Sequence, residues 1–169
     1  MESLLFELIC RIVQRNQPLL SIAISQRAKF EGWLKFELAN DLQCDHDVIV
    51  EKWVDRSLVD ICVDMRSLIE LKTPNTNYTV GNNKPKNNRP ITTNVQGIIN
   101  DIKKLEKRVK QNGYADGYIA FVMFPIDDKM QYHDHIKKVE ERLAPNPRIR
   151  SRELPMGDFN VFVFVAKVV

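Results

Sequence analysis

The segment SLVDICVDMRSLIELKT, residues 57–73, places charged side chains inside two runs that otherwise read as buried strand. Burying a charge is costly unless it is paired or holds a metal. Side chains alternate between the faces of a strand, so Glu70 and Lys72 point one way while Ile69 and Leu71 point the other. Asp64-Met65-Arg66 supplies a short reversal, so residues 58–63 and 67–73 read as the two arms of a hairpin. With the reversal centred at Asp64 and Met65, Asp60 falls opposite Glu70 on the same face. Two carboxylates and an ammonium then converge at one end of a hairpin whose neighbours Val59, Ile61, Ile69 and Leu71 belong to the core.

Upstream of this hairpin, Asp45 and Asp47 mark a turn, and Val48, Ile49, Val50 and Trp53 read as a further strand. Before it, a helix capped by Ser25 and running to about Asp41 spreads Phe30, Trp33, Leu34, Leu38 and Leu42 over one face, with Glu31 and Glu37 at its border. Residues 19–24 fit strand or helix, because short apolar runs carry no diagnostic period. Leu4, Leu5, Leu8, Ile9, Ile12 and Val13 recur at helical spacing, which predicts a helix over residues 3–15 that ends before Asn16 and Pro18. Its apolar stripe packs either on the domain's own core or on a second copy.

Downstream, residues 74–90 are rich in Asn and lack apolar periodicity, as in a long loop. The loop starts beside the charged end of the hairpin and carries Lys84, Lys86 and Arg89, which suit contact with a phosphate backbone or with solvent alone. Thr93 and Gln96 stand in the capping-box relation at the start of a helix with the stripe Val95, Ile98, Ile102, Leu105 and Val109, and Asn112-Gly113 stops it. Lys103, Lys104, Lys107, Arg108 and Lys110 read as the solvated side of that helix. Residues 118–124 read as a strand covered on both faces, residues 129–143 as a helix, and residues 159–168 as a last strand after Pro145 and Pro147. His133 and His135 lie two apart on a helix and face different directions, as surface histidines do, whereas Trp33 and Trp53 fall on apolar faces and pack in the core.

The fold class is therefore α/β, a mixed central sheet flanked by helices in the order α-α-β-β-β-α-β-α-β. We read residues 1–169 as one domain: a helical extension over 1–18, a core over 26–124, and a C-terminal helix and strand over 125–169. With 44% hydrophobic residues the chain can build such a core, while 25 basic against 22 acidic side chains is too small an excess to indicate a nucleic-acid partner by itself. Cys10, Cys44 and Cys62 form no zinc pattern and read as buried free thiols of a reducing cytosol, which places the protein in the cytoplasm. Glu7 and Arg11 interrupt the first apolar stretch, so neither a signal peptide nor a membrane partner is expected. The glycines are too scattered for a phosphate-cradling loop.

Carboxylate oxygens at Asp60 and Glu70 suit Mg²⁺ or Mn²⁺, which keep several waters and can bind a phosphate oxygen at the same time. Lys72 is placed to orient a water or to stabilise charge building up on a phosphate. The pattern of Asp60 followed after nine residues by Glu70-x-Lys72 within a hairpin resembles the PD-(D/E)xK nuclease superfamily, whose fold is also called restriction-endonuclease-like. The order of elements over residues 26–124 resembles that superfamily's core: a helix, a three-stranded meander carrying the motif, a helix and a further strand.

The resemblance implies an Mg²⁺- or Mn²⁺-dependent DNA endonuclease that leaves a 5′-phosphate, with RNA open as the other polynucleotide. It implies Asp60 and Glu70 as metal ligands, Lys72 as the residue assisting the attacking water, and Glu31 as the acid of the first core helix supporting the metal. Gln96 stands where many relatives carry a polar residue facing the site. The chain departs from the pattern in having Val59, not proline, before Asp60, and Glu37 competes with Glu31 as the helix acid. Cutting both strands at a symmetric site would need a homodimer, for which the N-terminal helix is one surface. The alternatives are a nuclease-like module that binds nucleic acid or protein without turnover, and an unrelated α/β protein with a structural ion-pair cluster.

Overall fold

Two apolar stripes on consecutive helices open the chain. Helix α1 (Glu2–Arg15) buries Leu5, Ile9, Ile12 and Val13, and α2 (Gln17–Ser25) follows with Pro18 in its first turn, where a missing N–H costs nothing. Helix α3 (Glu31–Leu42) then leads into a meander of β1 (Val48–Val54), β2 (Ser57–Val63) and β3 (Ser67–Lys72). Next come α4 (Ile91–Asn112), β4 (Asp116–Ile126), α5 (His133–Glu140), β5 (Ile149–Pro155) and β6 (Asn160–Lys167). This is a computed structural model, and it describes residues 1–76, 78, 90–126, 131–143, 145 and 147–169.

The strands form one six-stranded mixed sheet in the order β1-β2-β3-β4-β6-β5. Neighbours are antiparallel except β3 and β4, which run parallel and are joined through α4. A parallel pair needs such a crossover, whereas the antiparallel pairs of the meander close with short turns, two residues between β1 and β2 and three between β2 and β3. Asp55 and Arg56 (φ 47° and 62°) and Asp64 and Met65 (φ 52° and 50°) are both left-handed pairs, the geometry that matches the twist of a hairpin. Helix α4 ends at Gly113, which takes φ 73°.

Helices α1 and α3 cover one face of the sheet with Ile61, Ile69 and Leu71, and α4 and α5 cover the other with Val59, Cys62 and Leu68. Each fully buried aliphatic side chain beside the motif contributes about 1.5–3 kcal/mol, which offsets the cost of dehydrating the charges set among them. Helix α4 rests on the sheet at Gly117, where a Cβ atom would lie 2.9 Å from Val109 Cγ2 and 3.0 Å from Leu105 Cγ.

One position breaks the alternation. In β2, Ile61 and Val63 face the α1/α3 side, yet Val59 faces α4, and in β1 Val50 faces the α3 side while Val54 faces α4. Both strands therefore exchange faces at Glu51 and Asp60, between the pairs Val50–Ile61 and Lys52–Val59, where Glu51 adopts φ 52°. A non-glycine residue in that region marks a locally forced backbone.

Several expectations are corrected by this fold. Residues 19–24 are helical, within α2, and the helix expected from Ser25 begins instead at Glu31; Ser25 is the last residue of α2, and its Oγ donates to Ile22 O. Helix α4 starts at Ile91 after Pro90, so Thr93 and Gln96 form no capping box. Strand β5 was not anticipated: it is an edge strand of exposed charged residues with one buried apolar side chain, Leu154, in the middle of no apolar run. Trp53 is 67% exposed and Cys44 is exposed, so neither packs in the core. Helix α1 packs on β5, β6 and α3 of its own chain. Among the described residues no helix is long and apolar enough to cross a membrane.

Candidate active site

The exchange of faces at Glu51 and Asp60 builds the site. The β2–β3 ladder pairs Ile61 with Ile69 and goes no further, so β2 and β3 part at Asp60 and Glu70. Freed from the ladder, Asp60 turns its carboxylate toward β3, and Oδ2 accepts the Leu71 N–H at 2.8 Å. Its other oxygen lies 3.6 Å from Lys35 Nζ, and that ammonium donates to Glu51 Oε1 at 2.6 Å. Lys35 and Glu31 stand one turn apart on α3.

Glu70 faces the opposite side. Arg108 of α4 donates through Nη1 to Glu70 Oε1 at 2.6 Å and through Nη2 to Ser57 Oγ. Lys72 donates to Leu71 O at 2.9 Å, and its Nζ lies 3.6 Å from Glu31 Oε1 and 3.4 Å from Asp101 Oδ2. Glu31 Oε2 accepts the Thr73 N–H at 3.2 Å. Arg27 fixes the chain just beyond, donating to Thr76 O and Tyr78 O, and so holds Thr73 where Glu31 can reach it.

The side chains of Glu70 and Arg108 are 9% and 8% exposed, whereas those of Lys72 and Glu31 are 27% and 30% exposed, so the cluster opens toward Glu31. Five carboxylates, of Glu31, Glu51, Asp60, Glu70 and Asp101, surround three inner cations, Lys35, Lys72 and Arg108, with Lys104 on the exposed rim beside Asp101. The cluster is thus rich in negative charge. Burial, together with the Asp60 carboxylate, pushes Glu70 up to about 7 against the pull of Lys72 and Arg108. Burial alone would lower Lys72, but Glu31, Asp101, Asp60 and Glu70 outweigh it and raise the ammonium above its ordinary value. Lys72 therefore stays protonated near neutrality and serves as a donor, not as a base.

Asp60, Glu70, Lys72 and Glu31, singled out in the sequence, are all in this cluster. The expected face-to-face placement of Asp60 and Glu70 is not: Asp60 lies in the plane of the sheet and is approached from α3, while Glu70 is held from α4. Glu37 pairs with Arg15 at 2.7 Å, outside the cluster, so Glu31 is the acid that α3 brings to Lys72. Gln96 is exposed on α4 and donates to Asn100 at 3.0 Å. Lys84, Lys86 and Arg89 lie outside the described residues.

Sequence reading missed Lys35, Glu51, Asp101 and Arg108. Two of them left a signal: Lys35 stands three residues before the buried Leu38 and Arg108 three after the buried Leu105, so each is a cation on the apolar stripe of its helix. A charge in such a stripe needs a partner across the interface.

Among the described residues no three His, Cys, Asp or Glu side chains come together as a metal cage. Asp60 and Glu70 are the oxygen donors that would hold an Mg²⁺ or Mn²⁺ ion, which binds through one or two carboxylates and fills its other positions with water and phosphate oxygens. Burial raises Glu70 most, and the Asp60 carboxylate adds a like-charge repulsion that a divalent cation would relieve. Glu31 has the same kind of surroundings as Asp60: one oxygen lies 3.6 Å from a lysine ammonium and the other accepts a backbone N–H. Compared with family models, with curated proteins and with solved structures, the chain matches none.

Proposed function

We propose that the protein is a metal-dependent phosphodiesterase acting on nucleic acid, an endonuclease of the PD-(D/E)xK type with a restriction-endonuclease-like core. The observation that carries this reading is the meeting of Asp60, Glu70 and Lys72 where β2 and β3 part, in a cluster with an excess of carboxylates. The element order α3-β1-β2-β3-α4-β4, with β4 parallel to β3, supports it, being the order expected of that core.

Asp60 and Glu70 would hold Mg²⁺ or Mn²⁺, which supplies a water of lowered pKa and neutralises charge on the phosphate. Lys72, protonated and pinned between Glu31 and Asp101, donates a hydrogen bond toward the attacking water or a non-bridging phosphate oxygen. Glu31 acts by holding Lys72. DNA is the substrate implied by the resemblance, with a 5′-phosphate at the cut.

A second reading is favoured by one observation: every carboxylate of the cluster already has a cation or N–H partner. On that reading the cluster is structural and the fold binds its partner without turnover.

Incubating supercoiled, linear, single-stranded and branched DNA, and RNA, with Mg²⁺ or Mn²⁺ separates the two. We expect metal-dependent cutting by the wild type and at least about a hundredfold loss in Lys72→Ala and Glu70→Gln, the size seen when one charge-stabilising donor is removed. No cutting of any substrate, or equal cutting by folded variants, would sink the phosphodiesterase reading and favour the second.

A further inference from the structure

We propose that Arg108 is a positioning residue that sets the separation of the two carboxylates proposed to bind metal, an inference that rests on the phosphodiesterase reading. Beyond the pair Ile61 and Ile69 the ladder no longer holds β2 against β3. Two ties cross the gap. On one, Asp60 accepts the Leu71 N–H; on the other, the Arg108 guanidinium bridges Ser57 of β2 and Glu70 of β3. One planar fork thus spans the strand that carries Asp60 and the strand that carries Glu70.

The guanidinium is suited to this in a way an ammonium is not. Its donors lie in one rigid plane, so fixing Nη2 on Ser57 Oγ fixes the direction from which Nη1 meets Glu70. Arg108 engages Glu70 at Oε1, so Oε2 would be the oxygen offered to a cation shared with Asp60. The bridge is buried on both sides, with Arg108 and Glu70 8% and 9% exposed, so water does not take its place. From the same face of α4, two turns earlier, Asp101 reaches Lys72, so a single helix holds both side chains of the Glu70-x-Lys72 pair.

A guanidinium that merely neutralised Glu70 would be replaceable by any cation. Arg108→Lys keeps the charge and removes the fork, and Ser57→Ala keeps the guanidinium and removes its anchor. Mn²⁺ alone, titrated into the full chain and followed by electron paramagnetic resonance, reads the site without turnover, and thermal melts in metal-free buffer report the fold.

We expect Arg108→Lys to weaken Mn²⁺ binding by about ten- to a hundredfold, as loss of a residue orienting a metal ligand does. Ser57→Ala should weaken it in the same direction by less, with a melting temperature close to that of the wild type. Wild-type affinity in a folded Arg108→Lys, or in Ser57→Ala should the lysine variant fail to fold, would overturn the role of Arg108 and leave the phosphodiesterase reading standing. A wild type that takes up no Mn²⁺ would overturn both.

Discussion

Helices α3 and α4 lie on opposite faces of the sheet, and each lays one acid and one cation on the strands of the motif. They do so differently. Helix α3 uses Glu31 and Lys35 from its first turns, and its contacts to the motif, Glu31 to Lys72 and Lys35 to Asp60, are both 3.6 Å long. Helix α4 uses Asp101 from its middle and Arg108 from near its end, and the Arg108 contact to Glu70 is 2.6 Å long and almost free of solvent. The short, dry contact of Arg108 with Glu70 holds geometry, whereas the contacts of Glu31, Lys35 and Asp101, 3.4–3.6 Å long, adjust charge. Glu31 gains further from its place at the positive end of the α3 dipole, which any negative charge there shares.

The sharpest way to break this contrast is to remove one cation from each helix. Arg108→Met leaves Glu70 buried without its partner and should lower stability in urea melts by about 3–5 kcal/mol, while the double variant Arg108→Met with Glu70→Leu should recover most of that loss. Lys35→Met should cost only about 1 kcal/mol, because its partner Glu51 is half exposed and can turn to water. Equal losses from the two helices would erase the distinction.

Acidity offers a second, smaller test. The folded value of Glu70, about 7, lies above its unfolded value of 4.5, so the stability tied to its neutral form is complete below about pH 4.5 and is lost as pH rises through 7. In metal-free buffer the wild type should therefore lose stability relative to Glu70→Gln across that window. A difference between the two melts that does not change with pH would mean that Glu70 is not held in a dry, negative setting. The smallest effect on stability belongs to Glu31→Gln: less than about 1 kcal/mol for a half-exposed pair, accompanied by a clear fall in the cleavage rate. A fall in stability with unchanged cleavage would assign Glu31 to the scaffold.

The hairpin of β2 and β3 was legible because a polar reversal at Asp64–Arg66 separates two apolar runs, and in β3 Glu70 and Lys72 alternate with Ile69 and Leu71. Gly113 and the buried run of β4 were legible for equally local reasons. Strand β5 was not, since at a sheet edge the apolar signal fades and Arg150, Ser151 and Arg152 resemble a loop. The site was legible in part. Asp60, Glu70, Lys72 and Glu31 stood out as charges in or beside apolar runs, but the change of face at Glu51 cannot be read from residue types that are ordinary for a strand. Arg108 was assigned to the solvent together with Lys103, Lys104, Lys107 and Lys110, all four of which are exposed; the helical phase that separates it from Lys107 is a matter of one residue.

Gly117 gives the molecule its clearance. Where any other residue would wedge a methyl group under Leu105 and Val109, its bare backbone lets α4 settle onto the sheet. Gly117 pairs with Leu68, two residues before Glu70, and Val109 follows Arg108 directly. The height of the helix above the strands, and with it the reach of the guanidinium, is thus gauged by the one side chain that is missing.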